Sequence, residues 1–273
     1  MQKQHILAII RDPVAETNAI RHGLELACIF DIPLAIAILK NSKEIPSPIT
    51  LGELEDIVHS LQGSNKVEIQ TFYMDPIKAQ PNLSIRQLEA IFIIMQITNH
   101  THYLGKKLRP LLQIIYRSRI PSIIIQSQTP IANCYKKIYI PINHKRETKE
   151  KMIWASYFGR FHNSQLILLK AHENTPKLVG KIKATIIFTR KLFKQFTFEY
   201  KVIAGKSNSS GIQQEAFSLA NEQKDGMVVI MTHPNNSLWE RLMGPSLLKP
   251  LRNPHHLPVM CITPRNDGYL PCP

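Results

Sequence analysis

The sequence predicts an α/β protein built twice over: two tandem domains, each a five-stranded parallel sheet flanked by helices. Three observations predict it. Apolar, strand-like runs alternate with segments of helical period along the chain, which is the pattern of βαβ units. The order restarts after a linker at 127–135 that carries Pro130. Positions in the two halves also correspond, Ile6 with Ile138 at an offset of 132 and Ile120-Pro121 with Leu257-Pro258 at an offset of 137. A drifting offset in unbroken order is what a duplicated domain with small insertions leaves. The boundaries fall at 1–131 and 132–273, and a length of 273 residues suits two domains. A single doubly wound sheet of ten strands would leave the linker and the restart unexplained.

The elements follow in order. His5–Ile10 is apolar and β-prone, and Val14–Phe30 carries Ile20, Leu24, Ala27 and Cys28 at helical spacing. Ile32–Leu39 is a continuous apolar run, the mark of a strand buried on both faces. Leu51–Leu61 is helical by pattern, Lys66–Met74 alternates as a strand, and Ile91–Ile97 is a further buried strand. Leu104–Arg117 is a basic amphipathic helix with Pro110 near its start, and Ile120–Gln126 closes the first set. The second set begins with the strand Lys137–Ile142, then the helix Glu147–Phe161 and the strand Gln165–Lys170. A lysine-rich amphipathic stretch spans Leu178–Phe193, followed by a strand at Phe196–Ile203, a helix at Gly211–Gln223 and a strand at Met227–Met231. A helix near Ser246–Leu251 and a strand at Leu257–Ile262 complete it.

Composition narrows the class. Hydrophobic residues make up 44% of the chain, a globular composition. No apolar run reaches the roughly 18 residues needed to span a bilayer, and the short run Ile6–Ile10 is no secretory signal, so a cytoplasmic protein without membrane insertion is expected. The four cysteines, Cys28, Cys134, Cys261 and Cys272, form no C-x-x-C pair and no zinc spacing, so free thiols are expected. No G-x-S-x-G elbow and no paired carboxylates mark a hydrolase, so a non-catalytic protein is expected.

Residues 136–264 resemble the universal stress protein family. The residues that carry the resemblance are the strand Ile138-Tyr139-Ile140-Pro141-Ile142-Asn143, with Gly205 before the third helix. Met227 to Met231 with Thr232-His233 follow, then Trp239 through Met243-Gly244-Pro245-Ser246, and Pro258-Val259 at the last strand. Residues 4–127 follow the same order more weakly. The resemblance implies a Rossmann-like fold, a role in stress response or signalling through partner proteins, and a site for ATP or another adenine nucleotide. It also implies that single domains pair through their last strand, so that the tandem chain forms an intramolecular pseudo-dimer and could pair again as a homodimer.

The departures from the family pattern bear on that site. Glycines of the family's phosphate loop let backbone N–H groups approach the ligand. Here Met231 and Pro234 stand at the first two of them and only Gly244 remains. Pro234 and Pro245 remove two donors, Ser246 falls one place late, and Asn143 replaces the acid at the end of the first strand. Asn143, Thr232, His233, Gly244 and Ser246 therefore form a vestigial, degenerate nucleotide-binding loop. In the first half Arg11 displaces the strand-end acid, and Lys106 and Lys107 stand where small hydroxyl residues belong, as candidate anion-binding residues.

His100, His102, His144, His233, His255 and His256 lack acid or cysteine partners at ligand spacing and are expected on the surface. Asn208-Ser209-Ser210-Gly211 is a helix-capping run. Phe196, Phe198 and Tyr200 share one face of the expected strand and are assigned to packing. The net charge of +14 is uneven: residues 1–131 hold 13 basic and 11 acidic residues, and residues 132–273 hold 21 and 9. The run Lys177, Lys181, Lys183, Arg190, Lys191, Lys194, Lys201, Lys206 is the densest part of that excess. Two functions are consistent with this: partner-binding without ATP in the usual mode, and nucleotide or nucleic-acid binding through the basic surface.

Overall fold

A computed structural model describes residues 3–39, 51–62, 66–74, 88–97, 109–232, 251 and 253–264. The described residues form two compact units, one up to Ile131 and the other from Ala132 onward.

The first unit contains β1 (His5–Ile10), α1 (Thr17–Phe30), β2 (Leu34–Leu39), α2 (Leu51–Gln62), β3 (Ile69–Met74), β4 (Ala90–Ile97), α3 (Arg109–Ser118) and β5 (Ser122–Gln126). Its strands run parallel in the order β3-β2-β1-β4-β5. The second contains β6 (Lys137–Ile142), α4 (Thr148–His162), β7 (Gln165–Lys170), α5 (Pro176–Phe193), β8 (Tyr200–Ala204), α6 (Ile212–Gln223), β9 (Met227–Met231) and β10 (Val259–Ile262). Its order, β10-β9-β6-β7-β8, is the same pattern in chain terms. The central strands explain the apolar runs. β2 is buried along its whole length, and β1 and β6 are buried beyond their first residue. Their side chains meet helices on both faces, so the backbone bonds only to neighbouring strands.

The two units correspond down to single hydrogen bonds. The Pro121 carbonyl accepts the Ile93 N–H at 3.0 Å, and the Pro258 carbonyl accepts the Val228 N–H at 3.2 Å. In both units the proline thus opens the ladder between the last two strands. Helices stop through left-handed residues: Asp31 after α1, Asn163 after α4 and Lys224 after α6.

Several boundaries differ from those expected of the sequence. α5 begins at Pro176, with proline in its first turn, where the lost N–H has no helical acceptor. β8 begins only at Tyr200, because residues 194–199 carry the chain from the end of α5 to the sheet. Phe196 and Phe198 therefore precede the strand. They still pack: Phe198 and Tyr200 meet buried Phe193 edge-on at 4.9 and 5.2 Å, and Phe198 fills the space over Gly159. The helix expected from Val14 starts at Thr17, after a turn in which Asp12 Oδ1 accepts the Val14 and Ala15 N–H groups. The helix expected near Ser246–Leu251 lies, apart from Leu251, outside the described residues.

β8 is the edge of its unit's sheet. Leu166 N–H bonds the Glu199 carbonyl and Gly205 N–H bonds the Lys170 carbonyl, so the odd-numbered residues of this strand face β7. The backbone groups of Tyr200, Val202 and Ala204 therefore turn outward. Residues 201–204 are exposed, whereas β3, the edge of the first unit, buries Met74.

Gly226 and Gly180 give opposite tests of the backbone. Gly226 enters β9 at φ +80, and an added Cβ would lie 2.6 Å from the Lys137 carbonyl oxygen. Gly226→Ala should lower stability by about 1–3 kcal/mol. Gly180 lies inside α5 with nothing within 4 Å of an added Cβ, so Gly180→Ala should raise stability by about 0.5–1 kcal/mol. Urea midpoints of the two variants check both signs.

Candidate functional site

In parallel α/β sheets the favoured ligand position lies beyond the carboxyl ends of the strands, where the strand order reverses. Here the reversals fall between β1 and β4 and between β6 and β9.

In the first unit β1 and β4 pair from His5 to Ile9, and the chain's own side chains fill the space just beyond. Glu16 is 3% exposed and accepts the Arg11 backbone N–H at 2.7 Å and the Arg11 Nε–H at 2.8 Å. Arg11 Nη2 bonds the same carboxylate and reaches the Gln96 carbonyl at 3.5 Å. Burial pushes the Glu16 carboxyl up, against the opposing pull of the Arg11 guanidinium. Gln96, on β4, accepts the Ala19 N–H of α1 at 3.1 Å and donates to the Ala15 carbonyl at 2.9 Å and Ser127 Oγ at 3.2 Å. A first-turn helix N–H that could meet a phosphate is thus taken by an amide of the same chain.

The second unit differs at the reversal. Its β6–β9 ladder comprises Ile138 with Met227 and Tyr139 with Val228, and stops there. Pro141 explains the stop. The Ala171 N–H bonds the Ile142 carbonyl on the β7 side, so Pro141, one residue earlier, faces β9. Its missing N–H is a missing rung. Its carbonyl accepts instead the ammonium of Lys151 from α4, which is 2% exposed. Desolvation lowers the Lys151 ammonium from 10.5 to about 7, against the favourable charge of Glu147.

The loops beyond β7 and β8 show the same self-occupation. The Glu215 carboxylate accepts the N–H groups of Lys206 at 2.9 Å and Ser207 at 2.7 Å, and Glu173 accepts that of Ser209 at 2.8 Å. These bonds lower both carboxyls, that from Lys206 foremost at Glu215 and those from Ser209 foremost at Glu173. Three backbone donors in one loop make a ready anion cradle, and here carboxylates of the same chain occupy it. Gly205 leaves room for the Glu215 carboxylate, since an added Cβ would lie 3.3 Å from Glu215 Oε2 and 3.1 Å from the Lys170 carbonyl oxygen.

The residues singled out by sequence separate. Asn143 Oδ1 accepts the Lys145 N–H at 3.0 Å and the Thr148 hydroxyl at 2.5 Å, so this amide secures the entry to α4. Thr232 is buried, with its hydroxyl 3.0 Å from that of Thr263. His233, Gly244, Ser246, Lys106 and Lys107 lie outside the described residues, as do Pro234, Pro245, His100, His102 and Cys272. His144 Nδ1 stands 3.9 Å from Glu173, beyond hydrogen-bond reach, and no metal-binding group of three ligands occurs among the described residues. Asn208 Oδ1 accepts the Ser210 and Gly211 N–H groups, so the capping run acts through the turn before α6. No disulfide joins Cys28, Cys134 and Cys261 to one another, and burial pushes the Cys261 thiol up to about 12. Glu16, Gln96, Lys151, Glu173 and Glu215 are the residues that sequence reasoning missed. Of these, only Lys151 carried a local sign, a charge on the inward face of an amphipathic helix.

No family model matches the chain, and no curated protein matches it. Solved structures do. A universal stress protein from Archaeoglobus fulgidus DSM 4304 is similar with a TM-score of 0.62 at 10% identity, covering 94% of this chain and 98% of that one. A putative universal stress protein from Pseudomonas aeruginosa UCBPP-PA14 has a TM-score of 0.61 at 14% identity, covering 96% and 94%. The fold is therefore universal stress protein-like. No described helix is long and apolar enough to cross a membrane.

The buried lysine sets a pH dependence. The folded state holds Lys151 at about 7, and its ordinary value is 10.5. Between those values the unfolded chain binds a proton that the native state does not, so stability rises with pH across that window. Below it both states are charged and the burial penalty is fully present. The slope from this group is at most about 1.4 kcal/mol per pH unit, and Lys151→Met should remove it. Urea denaturation from neutral pH upward checks this; parallel curves for parent and variant would show a solvated ammonium.

Proposed function

We propose that this chain is a non-catalytic, universal stress protein-like binding protein that acts in stress response or signalling through association with partners. In this reading it does not take ATP in the usual mode. The observation that carries the reading is the self-occupation of the strand ends. Arg11, Glu16 and Gln96 take the donors and acceptors beyond β1 and β4. Glu173 and Glu215 take the loop N–H groups beyond β7 and β8. A triphosphate would have to displace anions already bonded at close to ideal distance. The same commitments argue against acid–base catalysis, since these carboxylates are spent on backbone donors and on Arg11.

A second reading, nucleic-acid binding on the same scaffold, is favoured by one further observation. The second half holds 21 basic and 9 acidic residues, and α5 carries no acidic residue at all.

Calorimetry of the full chain with ATP and magnesium tests the first reading. Binding should be no tighter than about millimolar, which is about −4 kcal/mol. Micromolar binding would overturn it.

A further inference from the structure

The solvent face of α5 has a composition set apart from every other described helix. Lys177, Lys181, Lys183, Arg190 and Lys191 are all exposed, and Lys194 continues the row at the helix end. At 100° per residue these six cations fall within an arc of roughly 180°, and they extend over about 25 Å of axis. Between Glu173 and Glu215 the sequence has a single acidic residue, Glu199, and that residue pairs with Lys201 at 3.4 Å. The row on α5 is therefore not neutralised from its own helix. Between the cations lie Gly180, with open space around it, Ala184 and Ile187, which is 55% exposed.

We propose that this face of α5 docks the phosphodiester backbone of nucleic acid without regard to sequence. The inference deepens the second reading above and makes no use of the strand-end loops. Its occupant follows from the charge pattern. Cations recurring at nearly every turn match a polymer that carries one negative charge at each short, regular step. A membrane surface fits less well. A helix that lies in a bilayer interface inserts a broad apolar face, whereas the apolar face of α5 (Ile182, Ile186 and Phe193) is buried in the protein. An acidic protein fits less well too. Protein interfaces are anchored by large side chains in pockets, and on the outer face of α5 Ile187 is the one exposed large apolar residue, beside a half-buried Phe188. Lysine and arginine along a helix contact phosphates more than base edges, and the one aromatic within the arc, Phe188, is half-buried with the Lys149 ammonium 5.2 Å from its ring centre, hence the lack of sequence preference.

Fluorescence anisotropy of the full chain with a labelled oligo(dT) of about 20 nucleotides, and with a duplex of about 20 base pairs, tests the proposal over a range of salt. Both probes should bind at low salt, with a log–log salt slope of about −0.7 to −0.9 per phosphate neutralised. Lys181→Glu with Lys183→Glu and Arg190→Glu should weaken both at least about tenfold and flatten the slope by about 2 or more. Lys145→Glu with Arg146→Glu, exposed charges outside α5, should leave both almost unchanged. A thermal melt verifies that the triple variant folds. If it does not, Lys181→Gln with Lys183→Gln takes its place, with a loss of about threefold expected. No binding at low salt, or equal binding by the α5 variant, would overturn the proposal. So would a loss as large in the Lys145/Arg146 variant. Phosphatidylglycerol vesicles bound with the same dependence on α5 would assign the face to lipid headgroups instead. Displacement of the probes by Mg-ATP at matched ionic strength would place binding in a nucleotide site, a result distinct from the failure of the α5 variants.

Discussion

The central strand of each unit is walled in on both faces, and every polar group of its backbone must be answered from the side. That constraint governs the rest. While neighbouring strands run alongside, the ladder answers it. At the carboxyl end the neighbours part, because the strand order reverses there, and something else must supply the partners. The two units meet this demand differently. In the first, the pairing of β1 with β4 continues to Ile9, and Arg11, Glu16 and Gln96 close the end as one bonded group. In the second, Pro141 ends the ladder early and Lys151 answers the carbonyl that is left. A proline and a buried ammonium thus act together. The proline is tolerated because its missing donor faces the side where pairing stops, and the lysine supplies a donor to the carbonyl on that side.

The same economy recurs in the loop after β8. Backbone N–H groups that converge beyond a parallel strand attract negative charge, whatever its source. Glu215 lies in the first turn of α6 and Glu173 just beyond β7, and both reach the same loop. An internal carboxylate needs no transport and loses less freedom on docking than a free ligand, so it is a strong competitor for the cradle. The loop's backbone donors are engaged by the protein's own anions.

Much of the fold was legible because burial on both faces leaves continuous apolar runs, and Ile6–Ile10, Leu34–Leu39 and Ile138–Ile142 have that form. The corresponding Pro121 and Pro258 were legible because proline marks a strand's first rung. The start of β8 was not. Phe196, Phe198 and Tyr200 alternate as a strand would, yet the first two belong to a linker, in which Phe198 packs against Phe193 and Phe196 stacks on Phe198. Period alone does not separate a strand from a linker laid over a core. The polar groups at the strand ends were illegible for another reason. Arg11 stood in the sequence only as a replacement for the strand-end acid, Glu16 fell inside the expected helix and Gln96 inside an apolar strand, and Glu173 and Glu215 stand 42 positions apart in the chain. What unites each set is proximity in space, and no local pattern records it.

β8 carries one further consequence, concerning the protein in bulk. A sheet edge with outward-turned backbone groups at Tyr200, Val202 and Ala204 is a template on which a like strand could be laid down, and repetition would build a filament. Val202 and Ile203, each more than a third exposed, would reward that stacking. Against it stand the shortness of the strand, five residues, and the charges of Lys201 and Glu199 at its margin. Each added copy would also bring its own share of a strongly positive surface, and that burden grows with every layer. The cationic excess thus gives colloidal protection to the most adhesive edge of its own unit. That protection is weakened by concentrated salt, which screens charge and leaves the exposed valine and isoleucine to govern.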